Sequence, residues 1–514
     1  MFLAGRDCLA LRPRFRGVAS IGKGSGRRVL AAHGSSTASA AVRRGQGYCF
    51  VQSEIPVIHT INIRMENPPE FDSLNSAAAG AYRQNAFYYR MESMFDLDPA
   101  DTEALPFAVP LHAHEYVHFL HNASTTSGQA YLVANLVLLR ALAAGANDRG
   151  HFLGPEALKA DQLDWLRFTG AVMHAQLGAT SAKEMRNCTD IRNWECSAPE
   201  LVKSELVDTI HATFTARDRS GEQRSERFAI GLSFITEGIA YEIDREMRRL
   251  GGQSVEALDA ETKAFPYLAF RVLVRSWSGR DLSAKDYIAI GVSALHCNVA
   301  GFGLSEICRC LKASTASVDN VLNYVRPQWN QASAKVLDDI RTQRIDLSQG
   351  DVIWTAMGEY MKLAEAGAQL RWNRWAPEFD FLSGKMTTDG FKQTVSSMLD
   401  CLVIQSKPDG KFDMYWHGPN VVARTDKAIQ CLGALQSALH FSQLHLGPDG
   451  SAHATNTLPP TRCPFAGGCG VEASEGFPSD CKSFPWRRAS GSDSGEKVCW
   501  YAAGVKALRS SSRK

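Results

Sequence analysis

Apolar positions along this chain recur at helical spacing far more often than they alternate. Residues 228–250 carry apolar side chains at 232, 235, 239, 240, 243 and 247 and stop at Gly251-Gly252, which predicts a helix with a glycine exit. A helix is also expected from Leu111 onward, entered through Pro106 and Pro110 and left by way of Asn122 and Gly128. Similar patterns predict helices over 129–144, 263–276, 283–295, 304–312, 318–325, 352–370, 390–402 and 426–444. Two stretches read as strands, the β-branched 55–63 and the aromatic 85–94. Any sheet is therefore expected to be small and to sit near the front of a mostly α fold. Beyond Gly447 the pattern gives way to Gly, Ser, Pro and Cys.

Length and charge narrow this picture. A chain of 514 residues predicts two or three domains. Its 45% hydrophobic and 21% charged residues are ordinary for a globular protein. A formal net charge of +2 gives no overall attraction to nucleic acid. The 13 cysteines are odd in number and scattered, which fits a reducing, cytoplasmic setting better than a disulfide framework. The most apolar run, 130–144, is interrupted by Asn135 and Arg140 and reads as a buried helix, so no membrane span is expected. Residues 1–48 hold eight arginines, among them Arg12, Arg27 and Arg43, against one acid, Asp7. They read as a disordered basic tail, although an organelle-import segment has the same composition.

The chemistry concentrates in His114-Glu115-Tyr116-Val117-His118. Two histidines four apart on a helix face the same way, so both imidazoles can reach one zinc ion. Glu115 is offset by one helical step and faces a water on the ion, where it would serve as general base. About 0.02 such motifs are expected by chance in a chain of this composition. Zinc hydrolases need a third protein ligand. A following His-x-x-Gly-x-x-His pattern fails, because His121 and Ser124 occupy its key places. His121 reads instead as a supporting or structural residue. Glu237, in Ile235-Thr236-Glu237-Gly238-Ile239-Ala240, fits better, since an unpaired carboxylate in an apolar helix is costly and a zinc ion would relieve that cost. Gly238 and Ala240 are small enough to let that helix approach the histidine helix.

His114-Glu115-Tyr116-Val117-His118 followed by Glu237-Gly238-Ile239-Ala240 resembles the gluzincin type of zinc metallopeptidase over roughly residues 50–250. The resemblance implies a mostly helical, zincin-like catalytic domain with a small N-terminal sheet, zinc held by His114, His118 and Glu237, and hydrolysis of peptide bonds in a peptide or protein substrate. Two features depart from that pattern. The 119 residues between His118 and Glu237 imply an inserted helical segment, and Tyr241 stands where many members place an aspartate to hold the first histidine, with Glu242 and Asp244 nearby.

Cys463, Cys469, Cys481 and Cys499 form a second constellation. Four thiolates suit a structural zinc, and less readily an iron–sulfur cluster. Phe465, Phe484 and Trp486 would give such a module a small core of its own. The basic aromatic group Arg371, Trp372, Arg374 and Trp375 reads as a packing edge between helical layers rather than a base-stacking surface. The expected organisation is a tail over 1–48, a zincin-like domain over 49–252, a helical region over 253–446 and a Cys-rich module over 447–514. The competing class is an inactive zincin-like protein that uses its cysteine module to bind protein or nucleic acid.

Overall fold

The computed structural model describes residues 80–99, 103–345, 352–409, 411–447, 450–466, 479–490 and 499–509, all within one compact unit, Pro56–Lys514. The expected tail, the expected strand over 55–63 and Cys469 lie outside the described residues. The protein is mostly helical, with two small sheets among the described residues.

The first sheet has strand order β1-β2-β7-β8. Strands β1 (Gly80–Tyr82) and β2 (Tyr88–Met91) pair antiparallel, with Gly80 opposite Met91. Strand β7 (Cys401–Ser406) then lies parallel to β2, Tyr88 facing Leu402, and β8 (Phe412–His417) returns antiparallel. The sheet is thus shared between chain segments more than three hundred residues apart. The helix expected over 390–402 ends at Ser396, and its last residues begin β7 instead. A strand buried on both faces carries a continuous apolar run, so periodicity cannot tell it from a helix end.

A second sheet lies in the middle of the chain, contrary to the expectation of sheet only near the front. Strand β5 (Thr209–Arg217) is flanked on one side by β6 (Gln223–Ala229) and on the other by β3 (Glu195–Cys196) and β4 (Glu200–Val202). The long insertion between His118 and Glu237 therefore contains this sheet as well as helices α2 (Thr126–Ala144) and α3 (Ala160–Leu177).

Helix α1 (Ala108–Ser124) runs through the centre, buried at all but one of its positions. Tyr116 stitches it to the approach of β7: its hydroxyl donates to Leu399 O at 3.0 Å and accepts from Leu399 N at 2.9 Å. Thr125 closes α1 and also caps α2, its hydroxyl accepting from Gly128 N. Gly128 opens α2 against the end of α1, where a Cβ would lie 2.4 Å from Asn122 O. Helix α4 (Leu232–Leu250) crosses α1. Gly238 does not ease that crossing, as the sequence suggested. It faces α6 (Ala269–Ser278), where a Cβ would meet Phe270 within 2.4 Å. Helices α5 (Val255–Glu261), α7 (Ala284–Leu295), α8 (Ala300–Ala313), α9 (Val318–Ile345), α10 (Val352–Asn373), α11 (Thr388–Ser396) and α12 (Asp426–Leu444) complete the main body. Helix α9 runs through Pro327, well past the expected end.

The described residues of the 447–514 stretch pack on the main body. Cys463, Phe465, Cys481, Trp486 and Tyr501 belong to the same core as α1 and β2. The short helix Trp500–Lys506 lies on α12, with Gly504 close enough that a Cβ would touch Ala434 O. Among the described residues, α2 alone is long and apolar enough to cross a membrane, and 67% of that stretch is buried inside the molecule.

Candidate metal centre

Helix α1 is buried although it carries His112, His114, Glu115, His118, His121 and Asn122. Buried polar groups need partners. His112 finds them in Tyr89 Oη at 3.1 Å and Phe95 O at 2.9 Å. The other histidines fall into two clusters, one on each side of Thr236.

In the front cluster, His114 and His118 lie one helical turn apart with ring centroids 4.8 Å apart. Their Nε2 atoms stand 3.7 and 3.3 Å from Glu237 Oε2 of α4. The three donor atoms all lie within 4.8 Å of one another. Tetrahedral zinc with ligands at about 2.1 Å would space its donors by roughly 3.4 Å, so this set fits zinc after a small contraction. A second observation agrees. Glu237 Oε2 is buried and, among the described residues, makes no hydrogen bond, although two imidazole nitrogens flank it. A carboxylate oxygen in that position is suited to a cation. Burial opposes the Glu237 charge, but the imidazoles of His118 and His114 hold its carboxyl well below the usual range. The Glu237 side chain keeps 30% exposure against 9% and 6% for the histidines, so one side of the site opens to solvent. That opening is what a catalytic rather than a sealed structural site requires.

Glu115 stands beside this donor set, outside it. Its side chain presses on the edge strand, where a Cβ at Gly80 would come within 2.8 Å of Cγ and 2.9 Å of Oε1. Any larger residue at position 80 would displace the carboxylate. Burial pushes the Glu115 carboxyl up to about 7; nearby His114 opposes this, while Glu237 and Asp244 reinforce it.

Tyr267, which the sequence did not single out, joins the same cluster. Its ring lies 5.9 Å from that of His114 and 5.5 Å from that of Tyr241. The charge of Glu237, then burial, raises its phenol pKa, so the hydroxyl remains a hydrogen-bond donor.

The back cluster is sealed. His121 Nδ1 lies 2.6 Å from Thr236 Oγ1, and the same oxygen lies 3.3 Å from His118 Nδ1. His121 Nε2 lies 3.1 Å from Glu378 Oε1. Burial lowers the His121 pKa to about 4, keeping the ring neutral, although Glu378 works against this. Burial would raise the Glu378 carboxyl, but the Arg371 guanidinium overrides it and holds it far below the usual range. Arg371 grips both Glu378 oxygens, at 2.8 and 2.5 Å, and also donates to Ser124 Oγ and Trp375 O. Gly367, one turn earlier on α10, makes this reach available, since a Cβ there would lie 2.8 Å from Ala123 O. Arg371 is thus interior framework, whereas Trp372 of the same expected packing edge is exposed.

The supporting residues suggested for the first histidine are engaged elsewhere. Tyr241 donates to Asp259, Glu242 takes the Arg271 guanidinium, and Asp244 accepts from Arg248 at 2.7 Å. Thr236, directly before Glu237, does reach a histidine of the donor set, with its Oγ1 at 3.3 Å from His118 Nδ1. Cys463 N–H donates to Cys481 O at 2.8 Å, so those two segments run side by side. Among the described residues, however, the thiols of Cys463, Cys481 and Cys499 do not gather into a metal-holding group. Phe465 packs on Tyr88 and Trp486 on Phe441 of the main body, as well as on Trp500 and Phe484 of their own stretch.

Comparison with family models, with curated proteins and with solved structures gives no match to this chain.

Proposed function

We propose that this protein is a zinc-dependent metallopeptidase. The observation that carries the reading is the meeting of His114, His118 and Glu237 around a carboxylate oxygen that lacks a hydrogen bond, with Glu115 at its side. Zinc, when bound, supplies Lewis acidity toward a substrate carbonyl and lowers the pKa of water. Glu115, raised toward neutrality, takes the proton from the attacking water and passes it to the leaving amine. Tyr267 donates a hydrogen bond to the carbonyl oxygen as it gains charge. Strand β1 supports a peptide as substrate. It is the outermost strand of its sheet among the described residues, and Gly80 lies against the base, so an extended backbone can pair beside Glu115.

The test uses the full chain, because the 447–514 stretch is built into the core. Metal content is measured by plasma mass spectrometry on wild type, His118→Ala and Glu115→Gln. The expected result is about one zinc in wild type and Glu115→Gln but none in His118→Ala. Peptide hydrolysis by Glu115→Gln should fall by about 10²–10⁴-fold. Folded wild type without zinc after incubation with the metal would overturn the reading.

A further inference from the structure

We propose that Thr236 and His121 form a hydrogen-bond relay that fixes the tautomer of His118, so that its Nε2 presents a lone pair to the metal. This rests on the zinc reading above and deepens it.

The argument runs inward from the buried end. Glu378 is fully buried, and Arg371 occupies both of its oxygens. His121 Nε2 sits 3.1 Å from Glu378 Oε1, and only an N–H is tolerable there, because a lone pair would face a full negative charge. A neutral imidazole has one N–H, so His121 Nδ1 is an acceptor. Thr236 Oγ1 lies 2.6 Å from it and must donate its single hydrogen. The hydroxyl then offers only lone pairs to His118 Nδ1, 3.3 Å away, so His118 carries its proton on Nδ1. With a cation held between them, the Nε2 atom of His118, 3.3 Å from Glu237 Oε2, turns its lone pair to that cation rather than to the carboxylate. The direction of the relay is set by the Arg371–Glu378 pair.

The relay also works against a competing state. With its proton on Nε2, His118 would bond Glu237 directly and the two would occupy each other. Thr236 and His121 are therefore positioning residues: neither belongs to the donor set, and both act through His118.

Zinc affinity of the full chain, measured by chelator competition, tests the proposal. Thr236→Val keeps the shape and removes the hydroxyl, and should weaken zinc by about 10–100-fold. Thr236→Ser restores the hydroxyl and should recover affinity to within roughly threefold of wild type, a rescue that lost packing would not predict. His121→Gln, which retains a donor toward Glu378 but cannot reach Thr236, should weaken zinc like Thr236→Val and serves if that variant does not fold. Wild-type affinity in Thr236→Val, or in His121→Gln, would overturn the relay while leaving the zinc site standing. Wild type and His118→Ala equally free of zinc would overturn the site itself, and the relay with it.

Discussion

Glu237 and Glu378 both face histidines of helix α1, at 3.3 Å from His118 and 3.1 Å from His121, yet they live under different rules. Glu378 has a resident cation. Arg371 neutralises it, Ser124 and Trp375 hold Arg371, and the whole group is shut away from water. Glu237 has no such resident among the described residues: one oxygen is buried without a hydrogen bond, and one side of the site is open. Where the protein supplies its own positive charge, a His–Glu cluster is framework. Where it withholds that charge and leaves a path from solvent, the same residue types could hold an incoming ion, as proposed here for His114, His118 and Glu237. The difference lies in the third partner and the access, and not in the histidines or the carboxylate.

The strongest way to break this contrast is to remove the resident cation. Arg371→Met leaves Glu378 buried and uncompensated, and should destabilise the protein by about 3–5 kcal/mol in urea denaturation. A loss under about 1 kcal/mol would mean that the back cluster is not the framework described. Next in size, Tyr267→Phe should lower kcat on a peptide by about 10²–10³-fold with zinc content unchanged. That outcome would mark the front cluster as chemical. An unchanged kcat would remove Tyr267 from it.

Glu237→Gln sharpens the contrast further. At free zinc a hundredfold above Kd, wild type should gain about 2.7 kcal/mol of stability over its metal-free form and the variant essentially none over its own. A gain in the variant as large as in wild type would remove Glu237 from the donor set.

The smallest effect is in pH. His121 is held near 4 in the folded state, below the 6.5 of the unfolded chain. Its contribution to stability is therefore full above pH 6.5 and is lost as pH falls toward 4, amounting to about 1.4 kcal/mol by pH 5.5. His112, His211 and His445, also buried and lowered to about 4, act in the same sense. Glu115 acts in the opposite sense in the metal-free protein. Its folded pKa of about 7 makes its contribution full below the unfolded value and lost as pH rises through 7. Urea denaturation of metal-free protein at pH 7.5 and 5.5 should thus show a smaller acid loss in His121→Gln, and a larger one in Glu115→Gln, than in wild type.

The front cluster was largely legible in the sequence, because its information is local. His114, Glu115 and His118 declare their geometry by helical spacing, and Glu237 stands out as an acid in an apolar helix. Thr236 was within reach too, being adjacent to Glu237, but a hydroxyl in a helix carries no signal of its own. The back cluster was not legible. Glu378 follows a proline in a short helical turn, and nothing near it tells that Arg371 and His121 will enclose it. The long helices were readable from their period. Strand β7 was not, because Cys-Leu-Val-Ile is uniformly apolar. In β5 threonines share the pattern with apolar residues and blunt the alternation that would reveal it.

The stitching of α1 to the approach of β7 has a consequence for how the protein is made. Tyr116 and Leu399 are 283 residues apart, and β2 waits longer still for its inner neighbour, Tyr88 pairing with Leu402. At a ribosomal pace of about 5–20 residues per second, the histidine helix is synthesised roughly 15–60 s before the segment that Tyr116 bonds. During that interval the nascent chain already carries the whole His114–His118 motif but lacks the wall that holds it and the Arg371–Glu378 pair that orients it. A product that stops before residue 371 therefore lacks both the Tyr116–Leu399 link and the Arg371–Glu378 pair, and the centre proposed here can form only after those segments have been made.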